Sequence, residues 1–453
     1  MKKTYIVDTN VLLSDPQSLY SFGSDDLVIT LVVLEELDKQ KSRLDDTGKC
    51  ARHANRILDE FRQSGNLQNG VKLPGGGTLR VCSVTLDWLQ ALPPELDVKK
   101  ADNCVIATAL KLSKTETCVV VVSRDINVRV KCDSPGLACE DFVAKGVSTD
   151  RDSLYSGVRR VSVSSEHIKE LHSCGEILIS SDLLGGRAFH PNEFVVLSSD
   201  QVSSSAIGRY SSQSQTVKKM RDITDAFGLV PRNKEQKMAL ELLFDADIKL
   251  VTLTGPSGTG KSLLAIAAGI DQVKSADRQY SKLIVSRPVQ PLGKDIGFLP
   301  GTFLEKMEPW VAPIKDNMNF LFRKNKTEKL SSRRSKDYVR DDEYMSLMIE
   351  KGIVEIEAVT YIRGRSIPGA FMLIDEAQNI TMHELKTIIT RVGDGTKIVL
   401  TGDIAQIDHL NVDAYTNGLT YAVEAFKDYP IAGHISLQKG ERSELATLAS
   451  KIL

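Results

Sequence analysis

The segment GPSGTGKS at residues 255–262 constrains this chain more than any other. It fits the pattern G-x-x-x-x-G-K-[ST]. In that pattern glycines let backbone N–H groups approach phosphates, and the N-terminus of the following helix favours their charge. The flanking residues supply the context that such a loop needs. Lys249–Thr254 reads as a buried strand and Ser262–Val273 as a helix. Gly255, Pro256, Ser257, Gly258, Thr259 and Gly260 then form the cradle. Lys261 is placed to reach the β- and γ-phosphates of ATP, and the Ser262 hydroxyl to touch Mg2+. A glycine turn without a ligand is the competing reading, and the strand–loop–helix order counts against it.

Other segments complete a nucleotide site. FMLIDEAQN puts Asp375 after a buried strand, suited to Mg2+ through water, with Glu376 beside it to polarise the attacking water. VLTGDIAQID brings Gln406 near a third strand end, where it could sense the γ-phosphate. PRNKEQ offers Gln236 for the adenine edge.

At 453 residues the chain is too long for one ordinary core, so two or three domains are expected. Alternating strand-like and helix-like segments over 1–145 predict a parallel sheet with helices upon it. A small β-rich module is expected over 150–220. Between Ser198 and Ser214 eight of seventeen residues are serine, which reads as a polar linker. A second α/β domain runs over 225–453. No apolar run is long enough to span a bilayer, and Asp8 interrupts the first apolar stretch too early for a signal peptide. Seven cysteines without C-x-x-C spacing argue for a reducing, cytoplasmic setting and against a zinc site. The net charge is −1, so any nucleic-acid binding must come from local basic patches.

A second chemistry sits upstream. Asp8 and Asp125 each follow an apolar strand candidate, Asp102 stands where a helix starts, and Glu36 lies early in another helix. In parallel α/β sheets the carboxyl ends of strands collect ligands, so these four acids could converge on one edge. Oxygen ligands of this kind suit Mg2+ or Mn2+, which activate water and stabilise the leaving oxygen of a phosphodiester. Each acid alone could equally be a helix cap. The framing segments DTNVLL, VVLEELD, ADNCVIATAL and VVVVSRDIN resemble, in order, the four acidic motifs of PIN-domain nucleases. That resemblance implies Asp8, Glu36, Asp102 and Asp125 as metal ligands, with Thr9, Asn10 and Ser123 as polar support. Glu35 competes for the second position.

SRPV, GFLPG, EKM, YIRGRS, DEAQN and TGD..Q resemble the motifs of PhoH-type ATPases, relatives of superfamily 1 helicase cores. Taken together the chain is similar to PIN–PhoH fusion proteins. The resemblance implies an ATP-dependent, RNA-acting enzyme that moves along or unwinds RNA and cuts it. The alternatives are a regulatory or stress-linked ATPase whose PIN domain only binds nucleic acid, and a DNA-processing motor. One phosphate loop, where a complete helicase has two cores, points to a homo-oligomeric ring, possibly a hexamer, with an arginine supplied by a neighbour or by the core itself. Arg363, Arg365, Arg391 and Arg442 are candidates; Arg442 resembles the family's last arginine motif and would then contact ATP. Residues 323–340 carry eight Lys or Arg against two acids, either as a solvated loop or as a phosphate-contacting arm. Only Phe322 and Tyr338 stand near it for stacking.

Overall fold

In the computed structural model the described residues are 2–43, 46–90, 92–142, 154–178, 188–199, 204–288, 303–330, 341–362, 364–408, 412 and 417–440. The chain divides into two compact units, Met1–Gly146 and Val147–Leu453.

The first unit runs β1 (Thr4–Val7), α1 (Thr9–Ser14), β2 (Asp26–Thr30), α2 (Leu31–Gln40), α3 (Asp46–Ser64), β3 (Val71–Lys72), β4 (Thr78–Cys82), α4 (Leu86–Leu89), α5 (Ala101–Leu112), β5 (Val119–Val122), α6 (Ile126–Asp133) and β6 (Ala138–Glu140). Its sheet has the order β3-β4-β2-β1-β5-β6, all parallel except the edge strand β3. TYIV and VVVV occupy the adjacent inner strands β1 and β5, buried along their whole length. Runs of β-branched residues without polar alternation suit a strand covered by helices on both faces. The chain leaves β1 toward β2 on one side and returns to β5 on the other. The topological switch point therefore lies between β1 and β5, at the carboxyl ends that carry Asp8 and Asp125.

The second unit begins with β7 (Val158–Ser162), α7 (Ser165–Cys174), β8 (Glu176–Ile177), β9 (Phe194–Ser198), β10 (Ser205–Ser211) and β11 (Thr216–Lys219), which form a sheet of order β7-β9-β10-β11-β8. The serine-rich stretch is therefore not the polar linker that its composition suggested. It supplies β10, the middle strand of that sheet, because Ala206 and Gly208 turn inward while serines and Arg209 take more open positions. Serine composition registers as polarity, but the alternation beneath it has the strand period. Nor is the module loosely tethered to the rest of its unit. Phe194 belongs to the main core of the unit, Ser436 N–H donates to Ser156 O at 3.0 Å, and the Asn192 amide donates to the carbonyls of Pro430 and Ala432, each at 2.8 Å. Arg209 pairs with Asp245, and Arg221 with the buried Glu241.

The remainder runs α8 (Lys234–Leu243), β12 (Leu250–Thr254), α9 (Lys261–Lys274), β13 (Lys282–Arg287), α10 (Phe303–Leu330), α11 (Asp341–Glu350), β14 (Val354–Ala358), β15 (Ala370–Ile374), α12 (Met382–Ile389), β16 (Lys397–Gly402), α13 (Gly418–Phe426) and β17 (Ala432–Ser436). A wholly parallel sheet of order β14-β13-β15-β16-β12-β17 carries it. Lys397, at the start of β16, is buried and donates to the carbonyls of Leu242, Leu243 and Asp245 at 3.0, 2.9 and 2.7 Å. It thereby adds a charged donor to carbonyls at and just beyond the C-terminus of α8. Among the described residues no helix is long and apolar enough to cross a membrane.

Candidate active sites

In the first unit Asp8 caps α1 and is only 2% exposed. Its Oδ1 accepts from Thr9 N–H at 2.7 Å, and its Oδ2 from Ser123 Oγ at 2.7 Å and the Asn10 amide at 2.8 Å. Ser123 follows β5 and also accepts from Asp125 N–H at 3.1 Å, so one hydroxyl joins the two strand ends. Asp125 caps α6 through Asn127 N–H at 2.8 Å. Thr30 caps α2, which then turns Glu36 toward the cluster, where the Thr9 hydroxyl donates to it; Glu35 is exposed instead. Asp102, in the first turn of α5, lies 3.5 Å from the Lys131 ammonium.

Burial, and after it the charges of Asp102 and Glu36, push the Asp8 carboxyl from 3.8 up to about 6, against the bonds from Ser123 and Thr9. Oxygen-only donors with repelling charge match the chemistry that a hard divalent cation relieves. The spacing is less complete. Among the described residues no three His, Cys, Asp or Glu side chains stand close enough to hold one ion, so the four-acid cage expected from the sequence is not assembled as such. What the fold brings together is Asp8, Glu36 and Asp102 as interacting charges, with Asp125 joined through Ser123.

This burial has a pH signature. In metal-free protein the unfolded chain ionises Asp8 near 3.8 and the native one near 6, so across that window the native state holds a proton that the unfolded state has lost. Below the window Asp8 contributes nothing. Through it, rising pH destabilises the first unit, and above it the full cost is about 3 kcal/mol. Hydrogen-exchange protection of the β1 and β5 amides in EDTA, corrected for intrinsic rates, is expected to fall as pH rises through about 4 to 6. Asp8→Ala is expected to flatten that fall, and an unchanged slope in Asp8→Ala defeats the assignment.

The phosphate loop of the second unit links β12 to α9. Gly255 has φ +140°, and a Cβ there would meet Leu437 O at 1.9 Å, so the loop can leave the sheet only as glycine. Gly258 and Gly260 also take positive φ. Lys261 Nζ donates to the loop carbonyls of Gly255 and Pro256 at 2.6 and 2.9 Å. Ser262 Oγ donates to Asp375 Oδ1 at 2.5 Å, which also accepts from Thr401 Oγ1 at 2.7 Å. β12, β15 and β16 thus deliver the loop, Asp375 and Thr401 to one point at the carboxyl edge of the sheet. Gln236 braces the loop, accepting from Arg232 N–H at 2.7 Å and donating to Thr259 O at 3.0 Å.

Several residues of this site carry no clear signal in the sequence. Gln378, buried in the turn after β15, donates to Glu376 Oε2 at 2.7 Å and to Gln406 O at 2.8 Å, and accepts from Asp403 N–H at 3.1 Å. Asp403 Oδ2 in turn accepts from Ser257 N–H of the phosphate loop at 3.1 Å. DEAQN and TGD..Q are therefore one network. The motif letters contain its members, but polar letters do not say whom they bond. Gln406 enters through its backbone, its side chain being exposed.

The arginine candidates separate. Arg365 is forked onto Glu357 through two 2.7 Å bonds, an ordinary ion pair, and Arg391 is exposed. Arg363 and Arg442 lie outside the described residues, as do GFLPG, most of the basic segment beyond α10, and Tyr338. Phe322 is no stacking platform: it is buried, edge-on to Phe227 at 5.8 Å between centroids.

Comparison with known proteins agrees with both halves. The PIN domain family matches residues 5–143 and the family described as PhoH-like protein matches 228–452. "Protein PhoH2" of Bacillus subtilis is 44% identical over 462 aligned residues, covering all of both chains. "Protein PhoH2" of Mycolicibacterium smegmatis is 34% identical, covering all of this chain and 97% of its own. A "PhoH-like protein" of Mycobacterium tuberculosis is 33% identical but covers 44% of this chain and 49% of its own.

Proposed function

Since this chain belongs to the PhoH2 proteins, a PIN domain joined to a PhoH-type P-loop ATPase-like domain, we propose that it is an ATP-dependent RNA-processing enzyme of the cytoplasm. The second unit hydrolyses ATP to move on or unwind RNA, and the first cuts the strand. The observation that carries this reading is the continuous chain of hydrogen bonds from Ser257 through Asp403 and Gln378 to Glu376, which ties the phosphate loop to the residue beside Asp375. Such wiring suits a motor better than a passive nucleotide site.

In this reading the phosphate loop and Lys261 would hold the β- and γ-phosphates, Ser262 and Asp375 would hold Mg2+, and Glu376 would draw a proton from the attacking water. Asp8, Glu36, Asp102 and Asp125 would hold Mg2+ or Mn2+ in the PIN domain, and the ion would supply an activated water and charge stabilisation for phosphodiester hydrolysis. Asp8, fixed by Thr9, Asn10 and Ser123, anchors that set. The chain acts as a homo-oligomeric ring, with an arginine from the same or a neighbouring subunit completing the ATP site. Seven free cysteines suit a reducing compartment.

The Lys131 ammonium, 3.5 Å from Asp102 where a metal ion would need that carboxylate, favours one second reading, an ATPase whose PIN domain only binds nucleic acid. ATP turnover measured with poly(U) and poly(dT), with cleavage of matched labelled RNA and DNA scored in parallel, separates the cases. RNA-stimulated turnover with RNA cleavage is expected. Stimulation and cleavage with DNA alone would make it a DNA motor, and turnover without any cleavage would favour the binding-only PIN domain.

A further inference from the structure

Glu376 stands in left-handed backbone, φ 55° and ψ 40°, which residues other than glycine rarely adopt. Its carboxylate is held from two sides. Oε2 accepts from the Gln378 amide at 2.7 Å and Oε1 from the Arg287 guanidinium at 3.1 Å. Arg287 ends β13, the neighbour of β15, so this ion pair spans the carboxyl ends of two adjacent strands. The two donors differ in access. Gln378 is buried and bonded on to Gln406 O and Asp403 N–H, whereas Arg287 is 24% exposed and Glu376 33%. A solution anion can reach the guanidinium but not the amide. Guanidinium binds a phosphodiester with the same fork that binds a carboxylate.

We propose that Arg287 restrains Glu376, and that a phosphate of the RNA strand releases the restraint by taking over the guanidinium, so that ATP hydrolysis waits for the strand. This rests on the reading of the second unit as an RNA-stimulated ATPase and names the regulator of its site. A general base must turn a lone pair toward the proton that it removes. Each oxygen keeps a second lone pair, but bonds from two sides fix the orientation of the carboxylate, so Glu376 cannot readily turn one toward that proton. When Arg287 turns to a phosphate, Oε1 is freed. Gln378 keeps Oε2, and with it the position of the carboxylate relative to residues 403–406. Among the described hydrogen bonds and ion pairs Arg287 touches no phosphate-loop residue, so its effect belongs in kcat rather than in the KM for ATP.

The test uses the full chain with Mg2+ and saturating ATP, comparing wild type, Arg287→Ala and Arg287→Lys, each with and without poly(U). Without RNA, Arg287→Ala is expected to turn over ATP about fivefold faster than wild type, the scale of one partly exposed ion pair. Its KM should be unchanged, and it should respond little further to poly(U). Arg287→Lys, which keeps a cation there, should fall between. Melting curves matching wild type guard against misfolding. An RNA-free kcat for Arg287→Ala equal to or below wild type, or an undiminished response to poly(U), overturns the restraint. In those outcomes Arg287 orients the base or stands apart from it. Wild-type protein that turns over no ATP in any condition defeats the functional reading instead, whatever the variants do.

Discussion

Replacing Lys261 by alanine is expected to lower ATP turnover by about two to three orders of magnitude. The ammonium would supply charge to phosphates in the ground state and more in the transition state, and GPSGTGKS contains no other cation. The fold should survive, because Lys261 Nζ is held by the carbonyls of Gly255 and Pro256 at the edge of the sheet, where water can replace it. Glu376→Gln is the companion variant and is expected to bind ATP but hydrolyse it slowly. A steady-state assay decides, and normal turnover by Glu376→Gln removes that residue as the base. Cleavage separates the two activities further. Lys261→Ala should still cut unstructured single strands, since the acidic site needs no ATP, and should fail on duplex RNA. Loss of all cleavage would mean that the motor assembles the nuclease site. Equal cutting of duplex and single strand would mean that the motor serves another purpose.

The second large effect concerns the acids. Asp102→Asn is expected to lower RNA cleavage at least about a hundredfold while ATP turnover stays at the wild-type level. It is a cleaner probe than Asp8→Asn. The Asp8 carboxylate accepts three bonds, and an amide placed there to keep Thr9 N–H as donor would turn its own NH2 toward the Asn10 amide. Asp102 has one distant ion-pair partner among the described residues, Lys131, and forfeits little structure. Cleavage of a labelled single strand in Mn2+ gives the answer. Undiminished cutting by a folded Asp8→Asn, Asp102→Asn double variant would sink the PIN site.

Any coupling between the proposed motor and nuclease would not run through the serine-rich stretch as a flexible tether. β10 runs through it and its sheet is packed into the second unit, so composition alone misjudges a strand as a linker. The residues that join the two units, 143–153, lie outside the described ones.

By itself the sequence determined whatever is local. GPSGTGKS between an apolar strand and a helix specifies a phosphate loop, because the glycines and the helix N-terminus are fixed by neighbours in the chain. The buried strands TYIV and VVVV, and the acids that follow them, were likewise legible from runs of side chains. Tertiary structure decided which of those residues meet. Glu36 rather than Glu35 faces Asp8 because helix α2 turns it there. Gln378 spans two loops, and Arg287 reaches Glu376 across 89 positions. Such pairings depend on strand order, and the order β14-β13-β15-β16-β12-β17 is set by packing between distant segments, which no local pattern encodes.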